Sequence, residues 1–130
     1  MIVKIPVSLG ELIDKVTILE IKKGKFSDAY KLANVITELQ QLNAIIERIM
    51  DPEQLVRLQE PMKRLRDINQ QLWKIEDDIR DCERNKDFGE RFVELARSVY
   101  FSNDKRFDIK KEINLAFGSE LIEEKTYQAY

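Results

Sequence analysis

The stretch Glu90 to Gly118, ERFVELARSVYFSNDKRFDIKKEINLAFG, decides how the rest of the chain is read. At the 3.6-residue period Phe92, Leu95, Ala96 and Val99 share a face with Ile113, Ala116 and Phe117, while Asn103, Arg106 and Lys110 fall between them on the same stripe. Two readings compete. The short polar side chains of Ser102, Asn103 and Asp104 suit a helix cap, so the chain could break there. Alternatively one helix of roughly 45 Å runs through, at 1.5 Å per residue. The continuous helix is the favoured reading, and it turns Asn103, Arg106 and Lys110 into an inward cluster that must find partners or a ligand. The plainest account of such a cluster is structural pairing, with long apolar stems packed and charged heads tied.

Outward from that stretch, composition sets the class. A chain of 130 residues has the commonest domain size, and with 43% hydrophobic residues it has enough apolar material for a core, so residues 1–130 are expected to form one domain. Only four Gly and three Pro interrupt apolar residues that recur at helical spacing, and the expected class is all-α: an antiparallel bundle of about four main helices behind a short extended N-terminal segment. A net charge of −2 gives no overall attraction to nucleic acid or anionic membranes. No run approaches 18 apolar residues and the N-terminus has no secretory pattern, so a soluble, cytoplasmic protein is expected.

Absent residue types exclude chemistry. With no histidine, the commonest general base, the Ser/His/Asp and Cys/His constellations and imidazole metal sites are all missing. Cys82 is the only cysteine, on an apolar stripe, and reads as core filler rather than nucleophile. No catalytic residue, metal ligand or cofactor is expected.

At the N-terminus Val3, Ile5 and Val7 alternate with Lys4 and Pro6, an extended segment expected to lie along a helix groove. Ser8-Leu9-Gly10-Glu11 has capping-box spacing and opens a first helix ending near Lys22 or Lys23, with Gly24 as a left-handed cap. Its main stripe is Leu9, Leu12, Ile13, Val16 and Leu19. Ile18 and Ile21 point elsewhere, and Glu20 falls within the stripe, so a basic side chain should meet it. A second helix starts at Ser27 or Asp28 and keeps Leu32, Val35, Leu39, Leu42, Ile46 and Ile49 in heptad alternation to Met50.

Asp51 caps the next segment with Pro52 at its first position, and Pro61 is expected to kink or restart it. From about Met62 to Asn85 the seam Leu65, Ile68, Leu72, Ile75, Ile79 and Cys82 predicts a helix pairing with the second along its length. Asp87-Phe88-Gly89-Glu90 repeats the capping-box spacing before the long helix, and a short helix or turn from Ser119 leads to Tyr127 and Tyr130.

Three motifs suggest chemistry and fail on inspection. Asp77-Asp78-Ile79-Arg80-Asp81 spells the DDxxD pattern that holds Mg²⁺ on diphosphates, but the register turns Asp77 and Asp81 outward, where Asp77–Arg80 and Asp81–Arg84 pairs are expected. Glu90 with Glu94, and Glu120 with Glu123 and Glu124, have spacings used by all-α pyrophosphohydrolases, yet no acidic helix faces them. The basic runs Lys22-Lys23-Gly24-Lys25 and Lys105 to Lys111 lie near Phe26, Phe101 and Phe107, but acids interleave with the second, so nucleic acid is not the expected partner.

Certain stretches do resemble a family. Ile5-Pro6-Val7-Ser8-Leu9-Gly10-Glu11-Leu12-Ile13-Asp14-Lys15, Leu72-Trp73-Lys74-Ile75-Glu76-Asp77, and Phe88-Gly89-Glu90-Arg91-Phe92 with Ala96-Arg97-Ser98-Val99-Tyr100 and Asn103-Asp104 are similar to a small bacterial and phage domain-of-unknown-function family. The resemblance covers nearly the whole chain. It implies no established activity, and it implies members near surface-polysaccharide glycosyltransferase genes. Phe101 and Phe107 stand where that family would have more polar residues.

The leading functional expectation is a non-catalytic helical interaction or assembly module. It is expected to be homodimeric through Ile18, Ile21, Phe101 and Leu115, with a protein partner and no membrane. The alternative is a binding protein for an anionic small molecule, phosphate- or nucleotide-sugar-like, held by Arg97, Tyr100, Asn103, Arg106 and Lys110 with Glu20 beside them. Arg106 fully paired by Glu20 would favour the first; unpaired Arg97 and Arg106 beside Tyr100 would favour the second.

Overall fold

The computed structural model describes residues 1–130 and contains four helices and no strand: α1 (Leu9–Lys25), α2 (Ala29–Ile49), α3 (Pro52–Arg84) and α4 (Glu90–Ala116). The helical bundle is the all-α class that the periodicity implied. No helix is long and apolar enough to cross a membrane.

Local chemistry sets most boundaries. The Ser8 hydroxyl accepts from the Glu11 N–H at 3.2 Å, and Asp28 caps α2 by accepting from Lys31 at 2.8 Å. At α3 the capping box is complete, because Asp51 accepts from the Gln54 N–H while the Gln54 side chain accepts from the Asp51 N–H, and Pro52 follows at a position where an amide is not needed. At Ser8 the box is only half formed. The Glu11 carboxylate is drawn to Lys110 of α4 instead.

Several expected boundaries differ. α1 does not stop at Gly24: it continues to Lys25, with Phe26 extended at the cap, because Phe26 packs against the core and draws the chain with it. α3 is one helix through Pro61, although Pro61 leaves the carbonyl of Arg57 without its intrahelical donor. Leu58, Pro61 and Leu65 are buried in succession, and that packing holds the helix together across the proline. α4 is continuous, as favoured, but Gly89 rather than Asp87 is its N-cap, and Asp87 only accepts from the Gly89 N–H. Residues after Gly118 form no helix. The segment Met1 to Val7 lies in no groove; Ile2, Val3, Ile5 and Val7 are all exposed.

Cross-helix contacts give the topology. Arg57 reaches the Ala116 carbonyl, Arg64 bonds Glu112, and Arg91 approaches Asp78, so α3 and α4 form a long antiparallel hairpin. α1 meets α4 in antiparallel register through Gly10–Asn114 and Asp14–Arg106, and meets α3 through Asn69 and then Arg66. Since α3 and α4 oppose each other, α1 cannot be antiparallel to both and must cross the pair. It is the hub: α1 packs on all three other helices, whereas α2 packs closely on α1 alone, and the expected seam between α2 and α3 is absent. A heptad seam says that a face is buried but not against which neighbour, and here α1, apolar on more than one side, supplies the neighbour.

The core is the cluster of Leu12, Ile13, Val16 and Leu19 with Val35, Leu39, Ile46 and Met50 of the α2 region, Leu58, Leu65 and Ile68 of α3, and Ile113 of α4. It ends there. α3 is roughly 50 Å long and α1 only about 25 Å, so the hairpin beyond Asn69 outruns the cover of α1, and between residues 70 and 101 only Cys82 is buried. Leu72, Trp73, Ile75, Ile79, Phe92, Leu95 and Val99 are only half-buried, and none belongs to the core cluster.

Candidate functional site

The polar centre of α4 does turn inward, and α1 supplies what it meets. Gly10, Asp14, Thr17 and Ile21 recur at i, i+4, i+7 and i+11, and all four are buried. This is a second face of α1 laid on α3 and α4. Gly10 permits the approach: a β-carbon there would stand 2.5 Å from the Lys110 carbonyl oxygen, and the Gly10 N–H instead donates to Asn114 Oδ1 at 2.6 Å.

One turn on, Asp14 is 1% exposed and would be prohibitively costly without partners. It has several. Arg106 Nε donates to its Oδ1 at 2.9 Å and Arg106 Nη2 donates to Oδ2, a two-pronged pair. Asn69 Nδ2 donates to Asp14 Oδ1 at 2.8 Å and to Thr17 Oγ1 at 2.9 Å, and the Thr17 hydroxyl donates to the Asp14 carbonyl at 2.7 Å. The hydrogen bond to Asp14 is the main cause that raises the Arg106 pKa above its ordinary value, against the opposing effect of burial. Arg106 stays protonated throughout.

Lys110, one turn further along α4, has only 7% of its side chain exposed and is held between Glu11 and Glu123 at 2.7 Å each. Burial pulls its pKa down, but the bonds to the two carboxylates outweigh burial and the net shift is upward. Glu123 lies on the C-terminal segment, which folds back along α4. Lys125 Nζ bonds Asp104 at 3.1 Å and the Asn103 carbonyl at 3.4 Å and stands 4.8 Å from the Phe107 ring centre, while the Tyr130 hydroxyl donates to Asp104 and its ring packs on Tyr100 and Phe101. Between α4 and this segment lies a cavity of about 860 Å³, whose walls include Tyr100, Asn103, Arg106, Lys110, Lys125, Tyr127 and Tyr130.

The expected site residues divide accordingly. Tyr100, Asn103, Arg106 and Lys110 come together at the cavity; Arg97 does not, being exposed and tied to Glu94 at 3.0 Å. Glu20 meets a basic side chain as expected, but it is Arg66, at 2.7 Å, and Arg106 is paired by Asp14 instead. The reason is register: Asp14 faces the crossing of α1 with α4, and Glu20 lies two turns along, over α3. Of the proposed interface residues, Ile21 is buried inside the chain, Ile18 is half-buried, Phe101 packs on Tyr100 and Tyr130, and only Leu115 stands well clear at 63% exposed.

Asp77 makes no pair, because Arg80 turns back to Glu76, whereas Asp81 does bond Arg84. No three His, Cys, Asp or Glu side chains converge into a metal-holding group. Asp14, Asn69, Thr17, Glu11 and Glu123 were missed by sequence reasoning. The signal was present in part, since Gly10, Asp14, Thr17 and Ile21 mark a second buried stripe; nothing in the sequence located Glu123 against Lys110.

A family model, described as a family of unknown function (DUF6165), matches residues 3–130, and the chain belongs to that family. No curated protein and no solved structure matches it.

Proposed function

We propose that this DUF6165 member is a non-catalytic helical interaction and assembly module that pairs with a second copy of itself through the distal half of the α3–α4 hairpin. One observation carries the reading: the half-buried apolar stripe Leu72, Ile75, Ile79, Phe92, Leu95 and Val99 lies outside the core cluster, with no third helix over it. Two antiparallel helices expose such a seam, and two hairpins laid together bury it as a four-helix bundle. The charges flanking the seam suit a like partner, since Arg80, Arg84, Arg91 and Arg97 alternate with Glu76, Asp77, Asp81 and Glu94.

Sedimentation equilibrium at tens of micromolar tests it. A species of twice 15.4 kDa is expected, reverting to the monomer in Leu95→Arg and unaffected by Leu115→Arg, an exposed apolar position away from the distal half of the hairpin. A single 15.4 kDa species for the unaltered chain overturns the reading.

A further inference from the structure

The two outer flanks of the hairpin's distal half differ, and the difference decides how two copies lie together. On α4, Arg91 approaches Asp78 and so marks the side that faces α3. Roughly 200° around the helix, Val93, Ala96 and Tyr100 recur at i, i+3 and i+7, all exposed, Val93 to 49% and Tyr100 to 44%. On α3, Asn69 marks the side that meets α1 rather than α4. It is followed at i+7, i+11 and i+14 by Glu76, Arg80 and Glu83, all exposed, with Arg80 turned back to Glu76 at 3.7 Å. α4 thus has an apolar outer flank and α3 a charged one.

Twofold symmetry leaves two arrangements for a bundle made of two hairpins. An axis along the bundle puts the two α4 helices diagonally opposite, so each α4 lays its apolar flank on the charged flank of the other copy's α3. An axis across the bundle puts α4 beside α4 and runs them antiparallel. Only the second covers apolar surface with apolar surface. The register follows, because an isologous contact is centred on its axis. The uncovered length from Phe88 to Phe101 is centred at Leu95, the middle of the stripe Phe92, Leu95 and Val99. Phe88 lies seven residues before Leu95 and Ser102 seven after it, so Phe88 of one copy stands level with Ser102 of the other. Phe88 is 51% exposed, its ring edge-on to Phe92 with centres 5.4 Å apart. At the level it reaches, the cavity beside α4 is lined by Val99, Tyr100, Asn103 and Tyr130. We infer that two copies lie antiparallel, α4 against α4, with Phe88 of each seated against Val99, Tyr100, Asn103 and Tyr130 of the other. This rests on self-association through the distal half of the hairpin and adds its direction, its register and an aromatic anchor.

Cysteine cross-linking of the full chain tests it, read on non-reducing gels after treatment with oxidised glutathione, beside sedimentation of the unaltered protein. Ala96→Cys, next to the axis, is expected to give a disulfide-linked dimer. Phe88→Cys alone and Asn103→Cys alone are not, whereas the two together are. Those positions are roughly 20 Å apart within one chain and cannot bridge there, and the native Cys82 is fully buried. Phe88→Ala should also weaken the dimer at least tenfold. A dimeric native chain that links through Phe88→Cys alone, or through neither Ala96→Cys nor the Phe88→Cys and Asn103→Cys pair, overturns the inference and leaves self-association standing. A monomeric native chain overturns both.

Discussion

Gly10 of α1 lies directly against the backbone of Lys110 in α4: a β-carbon on Gly10 would stand 2.5 Å from the Lys110 carbonyl oxygen and 3.0 Å from its carbon. Backbone cannot yield as a flexible side chain tip can. The helices touch where α1 has no side chain to hold them apart, and the two ion pairs that join α1 to α4, Asp14–Arg106 and Glu11–Lys110, depend on that spacing.

Gly10→Ala is therefore expected to destabilise the protein by about 1–3 kcal/mol, as overpacking does, even though alanine is the better helix former by about 1 kcal/mol. Gly24→Ala is the matched control. Gly24 is exposed within α1 with nothing within 4 Å of a new β-carbon, so that variant should gain about 0.5–1 kcal/mol. Urea denaturation of both variants checks the opposite signs.

Arg106→Ala leaves a carboxylate that is 1% exposed with only Asn69 as its side-chain donor. Breaking a buried pair from one side costs about 3–5 kcal/mol, and the melting temperature should fall by roughly 10–20 °C. Arg106→Lys should recover only part of the loss, because an ammonium cannot reproduce the two parallel bonds. Calorimetric melting of the three proteins distinguishes lost geometry from lost charge.

Two helix ends use the same closing motif with different residues. After α3, Lys86 sits at φ 52° while the Lys86 and Asp87 N–H groups bond the Glu83 and Cys82 carbonyls; after α4, Gly118 takes the equivalent place at φ 69°, with the Ser119 N–H bonding the Asn114 carbonyl. A side chain in left-handed backbone costs about 1 kcal/mol. Lys86→Gly should accordingly stabilise, and Gly118→Ala destabilise, by about that amount in equilibrium unfolding.

Docking of the C-terminal segment should depend on pH at both ends of the scale. The Tyr130 hydroxyl, foremost, and Lys125 hold the Asp104 pKa below its ordinary 3.8, so this contribution is present above that value and is lost as pH falls through the lower, folded one. The bond to Asp104 pushes the Tyr130 pKa from 10.0 up to about 12, so that contribution is present below pH 10 and is lost between pH 10 and about 12. The Phe101 ring resonances in NMR, which report the packing of the Tyr130 ring, should shift on both limbs, and the alkaline limb should vanish in Tyr130→Phe. A Phe101 profile that stays flat between pH 10 and about 12 would count against docking through Asp104.

Sequence by itself determined the four helices and most of their ends, because apolar period and capping chemistry act over a few residues. Ser8, Asp28 and Asp51 sit where their side chains satisfy free amides, and the continuous α4 could be read from the recurrence of its stripe on both sides of Asn103. That Arg106 and Lys110 turn inward was legible in the same way. Tertiary structure alone decided what they meet, since periodicity gives a face but no partner. Glu20 and Asp14 lie within two turns on one helix, and only the crossing of α1 over the α3–α4 pair gives Arg106 to Asp14 and Arg66 to Glu20. It alone brought Glu123 and Lys125 back onto α4 across chain that forms no regular element, where long-range charge pairing rather than any local pattern fixes the path.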